Sequence, residues 1–338
     1  MENIRKVIRN ETMSNITICD DGYRPVIAYN EVNNEYLVVW MYSYCDPADD
    51  ATILRDIYAQ RVRSYGALIG DRITVAKETS TRTVLPGAIA NVVYNRAANE
   101  YLVIWDYQYS WTEFTIRARR VSSDGRLVGN ESSISTHLSD ESRSVIAYNS
   151  RDNEYLFVRE SGWPNREHDI IARRVASDGR PVGTHFNIAT SLKNETRPVI
   201  AYNSSANEYL VVWEYWYSDT DLDLRARRVA SDGRPVGTHF SIAVSQKNET
   251  RPAIAYNSSA NEYLVVWEHQ HSLRDVDIHA CPVGSGGDVG DSFTIAGTLE
   301  SENLPVIAYN TKASEYLVVW GSYSWPSAKI IGQRLKDG

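Results

Sequence analysis

Six times along the chain the dipeptide Glu-Tyr opens a short apolar run, at Glu35, Glu100, Glu154, Glu208, Glu262 and Glu315, with spacings of 65, 54, 54, 54 and 53 residues. A unit of this length made only of strands cannot bury both of its faces alone. Neighbouring copies must supply the missing apolar surface, so the repeat dictates a stacked architecture rather than six independent parts. The expectation is a single domain over 1–338, built of six equivalent sheets.

The fourth copy gives the clearest reading of one unit. PVIAYN (198–203), EYLVVWEY (208–215), LRARRV (224–229) and FSIA (240–243) are short, rich in Val, Ile, Tyr and Trp, and bounded by Asn, Ser, Asp or Gly. No helical period runs through them, so four strands are expected. Asp-Gly at 124–125, 178–179 and 232–233 supplies hairpin turns between third and fourth strands, and Asn-Ser-Ser-Ala-Asn at 203–207 and 257–261 supplies turns between first and second strands. Each unit therefore reads as a four-stranded antiparallel meander. Its second strand, with Leu210, Val211, Val212 and Trp213 in sequence, carries apolar residues at every position. That pattern belongs to a strand covered on both faces, as in radially stacked blades, whereas a two-layer sandwich would show alternation. Ala28, Ala147, Ala201, Ala255 and Ala308 recur at one position of the first strand, where small residues suit close approach.

The last copy stops at Lys336-Asp337-Gly338, before a fourth strand, while Asn15-Ile16-Thr17-Ile18 precedes the first copy and resembles Phe186-Asn187-Ile188-Ala189. Pairing of this N-terminal strand with the C-terminal blade would leave no open sheet edge. The expected fold is thus an all-β, six-bladed β-propeller closed in this way. The run NEYLVVW, then ARRV, then SDG, then VG resembles bacterial propeller-type repeats, and the resemblance extends from about Arg24 to Gly338. It implies the fold; the logic of propeller lectins, with one sugar site per blade or between blades, is similar.

Composition narrows the partners. The formal charge is −8 and the 35 Lys and Arg residues are dispersed, so neither nucleic acid nor an anionic membrane has the concentrated basic face it needs. No stretch approaches the length of an apolar transmembrane span. The first fifteen residues lack an apolar signal-peptide core, giving the expectation of a chain retained where it is made, or extracellular if a leader has been removed. Cys19, Cys45 and Cys281 occupy unrelated repeat positions, which excludes a disulfide framework or a metal-ligand spacing. No cofactor and no metal are expected, and a monomer is.

Aromatic residues are unusual in kind, with 22 Tyr and 9 Trp against 5 Phe. Beyond the repeated Trp40, Trp105, Trp213, Trp267 and Trp320, which read as packing between blades, irregular rings follow the second strands: Tyr42, Tyr44, Tyr107, Tyr109, Trp111, Trp163, Tyr215, Trp216, Tyr217, His269, His271, Tyr323 and Trp325. Rings that carry a polar handle can stack on sugar faces while nearby amides and carboxylates bind hydroxyls, so these are the candidate ligand-binding residues. The third copy departs from the pattern, with Arg159 in place of the repeated Trp.

Arg143, Arg197 and Arg251 begin first strands, and Glu160, Glu214 and Glu268 end the facing second strands. If Tyr202 lies opposite Tyr209, each Arg lies opposite its Glu, and cross-strand structural ion pairs result. Asp56, Asp169, Asp223 and Asp277 recur before third strands; the alternating carboxylates of 219–223 lack the glycine and distal glutamate of a calcium loop and read as a solvated turn. Nucleophile-elbow, zinc-protease and phosphate-loop motifs are absent, and the seven histidines do not cluster along the chain. The resulting expectation is a non-catalytic, multivalent carbohydrate-binding module of lectin type whose partner is a glycan. A protein-interaction scaffold is the alternative, and a propeller hydrolase or lyase comes third.

Overall fold

The computed structural model describes Ile18 and residues 23–46, 49–77, 90–108, 114–137, 143–162, 167–218, 220–272, 275–298, 301–324 and 327–336. The protein is all-β, and among the described residues there is no helix. Its blades cover 23–76, 90–137, 144–189, 195–243, 249–296 and 301–336. The first five are four-stranded antiparallel meanders in sequence order, and the sixth shows three described strands. This is the six-bladed β-propeller class. Of the N-terminal strand expected to complete the sixth blade, Asn15, Ile16 and Thr17 lie outside the described residues; Ile18 packs against Trp40 and Tyr58 of the first blade.

The blades fall into two compact units. One holds blades 1 and 2 and most of blade 3; the other holds blades 4 to 6 together with Glu167–Ile170 and the chain from Asn187. Within each unit the apolar second strands do what their composition requires. In blade 4, Leu210 and Val212 join Leu224 and Ala226 against Tyr263, Val265, Trp267 and Cys281 of blade 5. The other face of the blade 5 strand, Leu264 and Val266, packs with Ile278 and Ala280 against Tyr316, Val318 and Trp320 of blade 6. Leu102 and Ile104 of blade 2 meet Tyr155 and Phe157 of blade 3 in the same way. Alternate residues of one strand thus enter two different cores. The five repeated tryptophans are all buried.

The repeat motifs have separate structural duties. The Glu of Glu-Tyr binds the second Arg of Ala-Arg-Arg-Val on the adjacent third strand, Glu208 with Arg228 at 2.8 Å and Glu154 with Arg174 at 2.7 Å, and in blade 1, where the run is Ala-Gln-Arg-Val, Glu35 binds Arg61 at 2.8 Å. The first Arg reaches backward instead. Arg227 donates to the Gly237 carbonyl in its own blade and, at 2.8 Å, to the Ile188 carbonyl, while Arg173 joins Gly183 and Ile134 equivalently. Those glycines sit at φ near +65°, a left-handed conformation that bulges the fourth strand and turns its carbonyl toward the guanidinium. At the turns between first and second strands, the buried Asn203 accepts from the backbone N–H groups of Ser205 and Ala206 and donates to Asn261 of blade 5 at 3.0 Å. Asn30 and Asn95 reach Asn99 and Asn153 of their following blades.

Candidate functional site

The loop face where second strands end is set by a bulge at the start of the first strands. Tyr202 does lie opposite Tyr209, yet Thr196, not Arg197, faces Glu214, because an extra residue enters between Thr196 and Val199. Arg197 occupies that position at φ 51°, and Arg251 repeats it in blade 5, where Thr250 faces Glu268. The direct opposition expected from sequence is therefore displaced by one residue. A bulge adds a residue to one strand only, so counting back from a tyrosine pair overshoots. The long side chains still span the offset, with Arg197 Nε 3.3 Å from Glu214 and Arg251 Nε 3.5 Å from Glu268. In the other unit, blade 3 has no such shift, and Arg143 lies 4.0 Å from Glu160.

The bulge also links blades. Turned outward by its left-handed conformation, the Arg251 backbone N–H donates to Glu214 Oε1 of the preceding blade at 2.7 Å. Leu304, at φ 58°, does the same for Glu268 at 2.7 Å. Arg251 thereby touches both carboxylates, Glu214 through its main chain and Glu268 through its guanidinium. Burial raises the Glu268 carboxyl, and the Leu304 N–H, the Arg251 guanidinium and the Thr250 hydroxyl oppose that shift. Trp216 borders the cluster: its indole N–H donates to Thr196 Oγ1 at 3.0 Å, and that hydroxyl donates to Glu214 at 3.3 Å. Both carboxylates are buried, whereas the Arg251 side chain is 41 % exposed. An exposed cation and a half-buried indole over two carboxylates make a surface suited to a polar ring-shaped ligand.

A second set of carboxylates lies on the opposite face of the same strands. Glu195, Glu249 and Glu302 are buried, and each accepts a hydroxyl hydrogen bond, from Ser191, Ser245 and Thr298 respectively. Burial pushes Glu195 and Glu249 up to about 7, with Asp169 adding to the shift at Glu195 and Asp223 and Asp221 at Glu249. The aspartates expected before third strands lie inside them: Asp223 and Asp277 are buried near strand starts and Asp56 is buried mid-strand in Asp49–Arg63, while Asp219 of the expected solvated turn lies outside the described residues. They lie directly across from second-strand residues and share their sheet face, Asp223 with Tyr215 and Asp277 with His269.

The candidate aromatics separate into distinct environments. Tyr215 is half-buried with the Arg225 guanidinium 3.4 Å from its ring centroid, and Tyr107 has Arg117 at 3.8 Å, so these two rings are scaffold-facing. Tyr42 stacks on Tyr44 at 5.8 Å and leans on Tyr58. Of the blade 4 candidates Tyr215, Trp216 and Tyr217, the last is well exposed, at 60 %, and the other two are half-buried. His269 is half-buried and His271 exposed. Tyr323 lies opposite Ser301 near the end of its strand, Glu315–Ser324, and its side chain is not described; Tyr109, Trp111, Trp163 and Trp325 lie outside the described residues. Sequence reasoning passed over Thr196, Thr250 and the buried Glu195 and Glu249. Their signal was present in the repeated Glu-Thr-Arg-Pro of 195–198 and 249–252.

No known protein family matches the sequence, and no curated protein is similar to it. Solved structures match its fold over nearly the whole length. A protein of unknown function from Dyadobacter fermentans has a TM-score of 0.62 at 9% identity, with 94% of this chain and 95% of that one covered. An α-L-arabinofuranosidase of Fusarium graminearum, solved with an iminosugar inhibitor, has a TM-score of 0.55 at 11% identity, covering 94% and 98%. A subtype N11 neuraminidase-like protein of the H18N11 virus A/flat-faced bat/Peru/033/2010 has a TM-score of 0.56 at 10% identity, covering 98% and 93%. What the chain shares with them is the fold. The expectation of a non-catalytic lectin-type module is corrected by these neighbours, which include a glycosidase and a neuraminidase-like protein, and the scaffold alternative fits them no better.

Proposed function

We propose that the chain is a propeller glycosidase, hydrolysing a glycosidic bond on the loop face of blades 4 and 5. The observation that carries this reading is the placement of Glu214 and Glu268 on either side of Arg251, with Trp216 beside them. Glycoside hydrolysis uses a pair of carboxyl groups, one donating a proton to the leaving oxygen and the other acting as base or nucleophile. Glu268 is the candidate proton donor, since burial favours its protonated form. Glu214 is the candidate second carboxylate, with Arg197 and Arg251 orienting the sugar hydroxyls and Trp216 offering a stacking surface. The glycosidic C–O bond breaks as the leaving oxygen takes the Glu268 proton, and the hydroxyl of water completes the anomeric carbon while its proton restores the acid. The neighbouring arabinofuranosidase and neuraminidase-like folds support glycans as the substrate class.

The test is a panel of chromogenic arabinofuranosides, sialosides and common pyranosides, followed by product analysis on the polysaccharide corresponding to any hit. Hydrolysis by the wild type is expected, with Glu268→Gln lowering kcat about 100-fold or more while the protein keeps its fold by circular dichroism. Turnover that persists in the Glu268→Gln and Glu214→Gln variants, or no hydrolysis of any glycoside, overturns the assignment.

A further inference from the structure

Blades 4 and 5 are nearly the same sequence on the same scaffold, which makes their differences readable. Blade 4 has Tyr215, Tyr217 and Arg225 where blade 5 has His269, His271 and His279; Asp223 and Asp277 are equivalent. The strand register is the same in both, with Tyr215 opposite Asp223 and His269 opposite Asp277. The stack of Arg225 on Tyr215 has its counterpart in blade 2, where Arg117 lies over Tyr107. In blade 5 it is replaced by His269 stacked on His279, with centroids 4.5 Å apart. Three residues on two strands have changed together, each to the side chain that most commonly ligates metals.

The side chains converge on one oxygen. His271 Nε2 lies 3.0 Å from Asp277 Oδ2 and His279 Nε2 lies 3.9 Å from the same atom, and the ligand atoms of all three residues are within 4.8 Å of one another. Tetrahedral zinc with bonds of about 2.0–2.1 Å sets its ligand atoms roughly 3.3 Å apart, a value these two distances bracket. Asp277 is buried, His279 half-buried and His271 exposed, so the set has a fixed base and an open outer side. Around it, Thr294 Oγ1 lies 3.3 Å from His279 Nε2, a contact an ion would replace, and Glu249 holds His269 Nδ1 at 3.1 Å, fixing the ring that stacks on His279. Glu249 therefore acts on the ligand set indirectly, through the ring stacked on His279.

We propose that His271, Asp277 and His279 bind one divalent transition ion of the zinc class, with water or a ligand group in the fourth position. The site lies on the opposite face of the second strand from Glu268, so it is independent of the proposed glycosidase pair. Its sequence signal is weak by spacing, since the ligands come from two strands, and strong by comparison of copies.

Full-length protein stripped with a chelator is titrated with Zn2+ by calorimetry and with Co2+ by visible absorption. One equivalent of Zn2+ per chain is expected, with a higher Tm and the intense d–d bands of four-coordinate Co2+. A triple variant, His269→Tyr with His271→Tyr and His279→Arg, installs the blade 4 residues and is expected to fold while binding Zn2+ about 100-fold more weakly; Asp277→Asn is expected to weaken it at least tenfold. If the triple variant fails to fold, His271→Ala decides, since that side chain is exposed and lies outside every buried core. Absence of stoichiometric binding by the wild type, or undiminished affinity in the folded variants, overturns the site.

Discussion

Glu195 shows how one side chain can tie stability to pH. Its carboxyl is buried beside Asp169 and pushed up to about 7, so between its unfolded value and 7 the folded protein holds a proton that the unfolded chain has released. Stability from this group is therefore present at low pH and lost as pH rises toward 7. Replacing Glu195 with Gln keeps the hydroxyl hydrogen bond and removes the charge. The variant is expected to gain about 3 kcal/mol over the wild type at pH 8 and little at pH 5, read from denaturation midpoints at both values. Equal gains at the two pH values would count against a titrating Glu195. The identity of this residue as buried acid was hidden in the sequence, because Glu-Thr-Arg-Pro opens a strand and looks solvated until the neighbouring blade covers it.

At the scale of the element, turns were more legible than registers. Asn and Gly carry their backbone preferences with them, and Asn207, Asn261, Gly179 and Gly233 all have positive φ. The bulge at Arg197 and Arg251 could not be read that way, since arginine has no preference for a left-handed conformation and nothing in the composition marks the extra residue. The turn asparagines give the sharper test. Asn203 satisfies two backbone donors in its own turn and binds the next blade, so Asn203→Ala should cost about 1–3 kcal/mol, visible as a lower urea midpoint with an unchanged slope. Asn203→Asp retains both acceptor contacts and loses the amide donor that serves Asn261 and the Tyr263 hydroxyl, and is expected to fall between the wild type and the alanine variant. A midpoint equal to that of the wild type for the alanine variant would remove the proposed linking role.

For the whole molecule, burial should set a gradient of protection across every blade. Second strands have apolar residues in two cores, while fourth strands such as Pro235–Ala243 are largely exposed or half-buried and interrupted by a bulge. Hydrogen exchange is expected to be slowest in the Glu-Tyr strands of all blades and fastest in fourth strands, and uniform rates across a blade would contradict this ordering. The sixfold period revealed this architecture because apolar periodicity is a property of each copy. Chemistry was less visible, since the face bearing Glu214, Arg251 and Glu268 joins residues from consecutive copies, and the histidines that meet in blade 5 are separated along the chain. The bonds from Arg251 to Glu214 and from Leu304 to Glu268 run in one direction, each carboxylate gripping the blade that follows it. Any segment one repeat long cut between Val199 and Leu304 contains one such donor and one such acceptor, whereas Met41 and Gly321 stand at the acceptor position of the first and last blades. A gene for this protein could therefore lengthen by copying a repeat from any phase within blades 4 and 5, and the new blade would arrive already able to clasp its successor and be clasped by its predecessor.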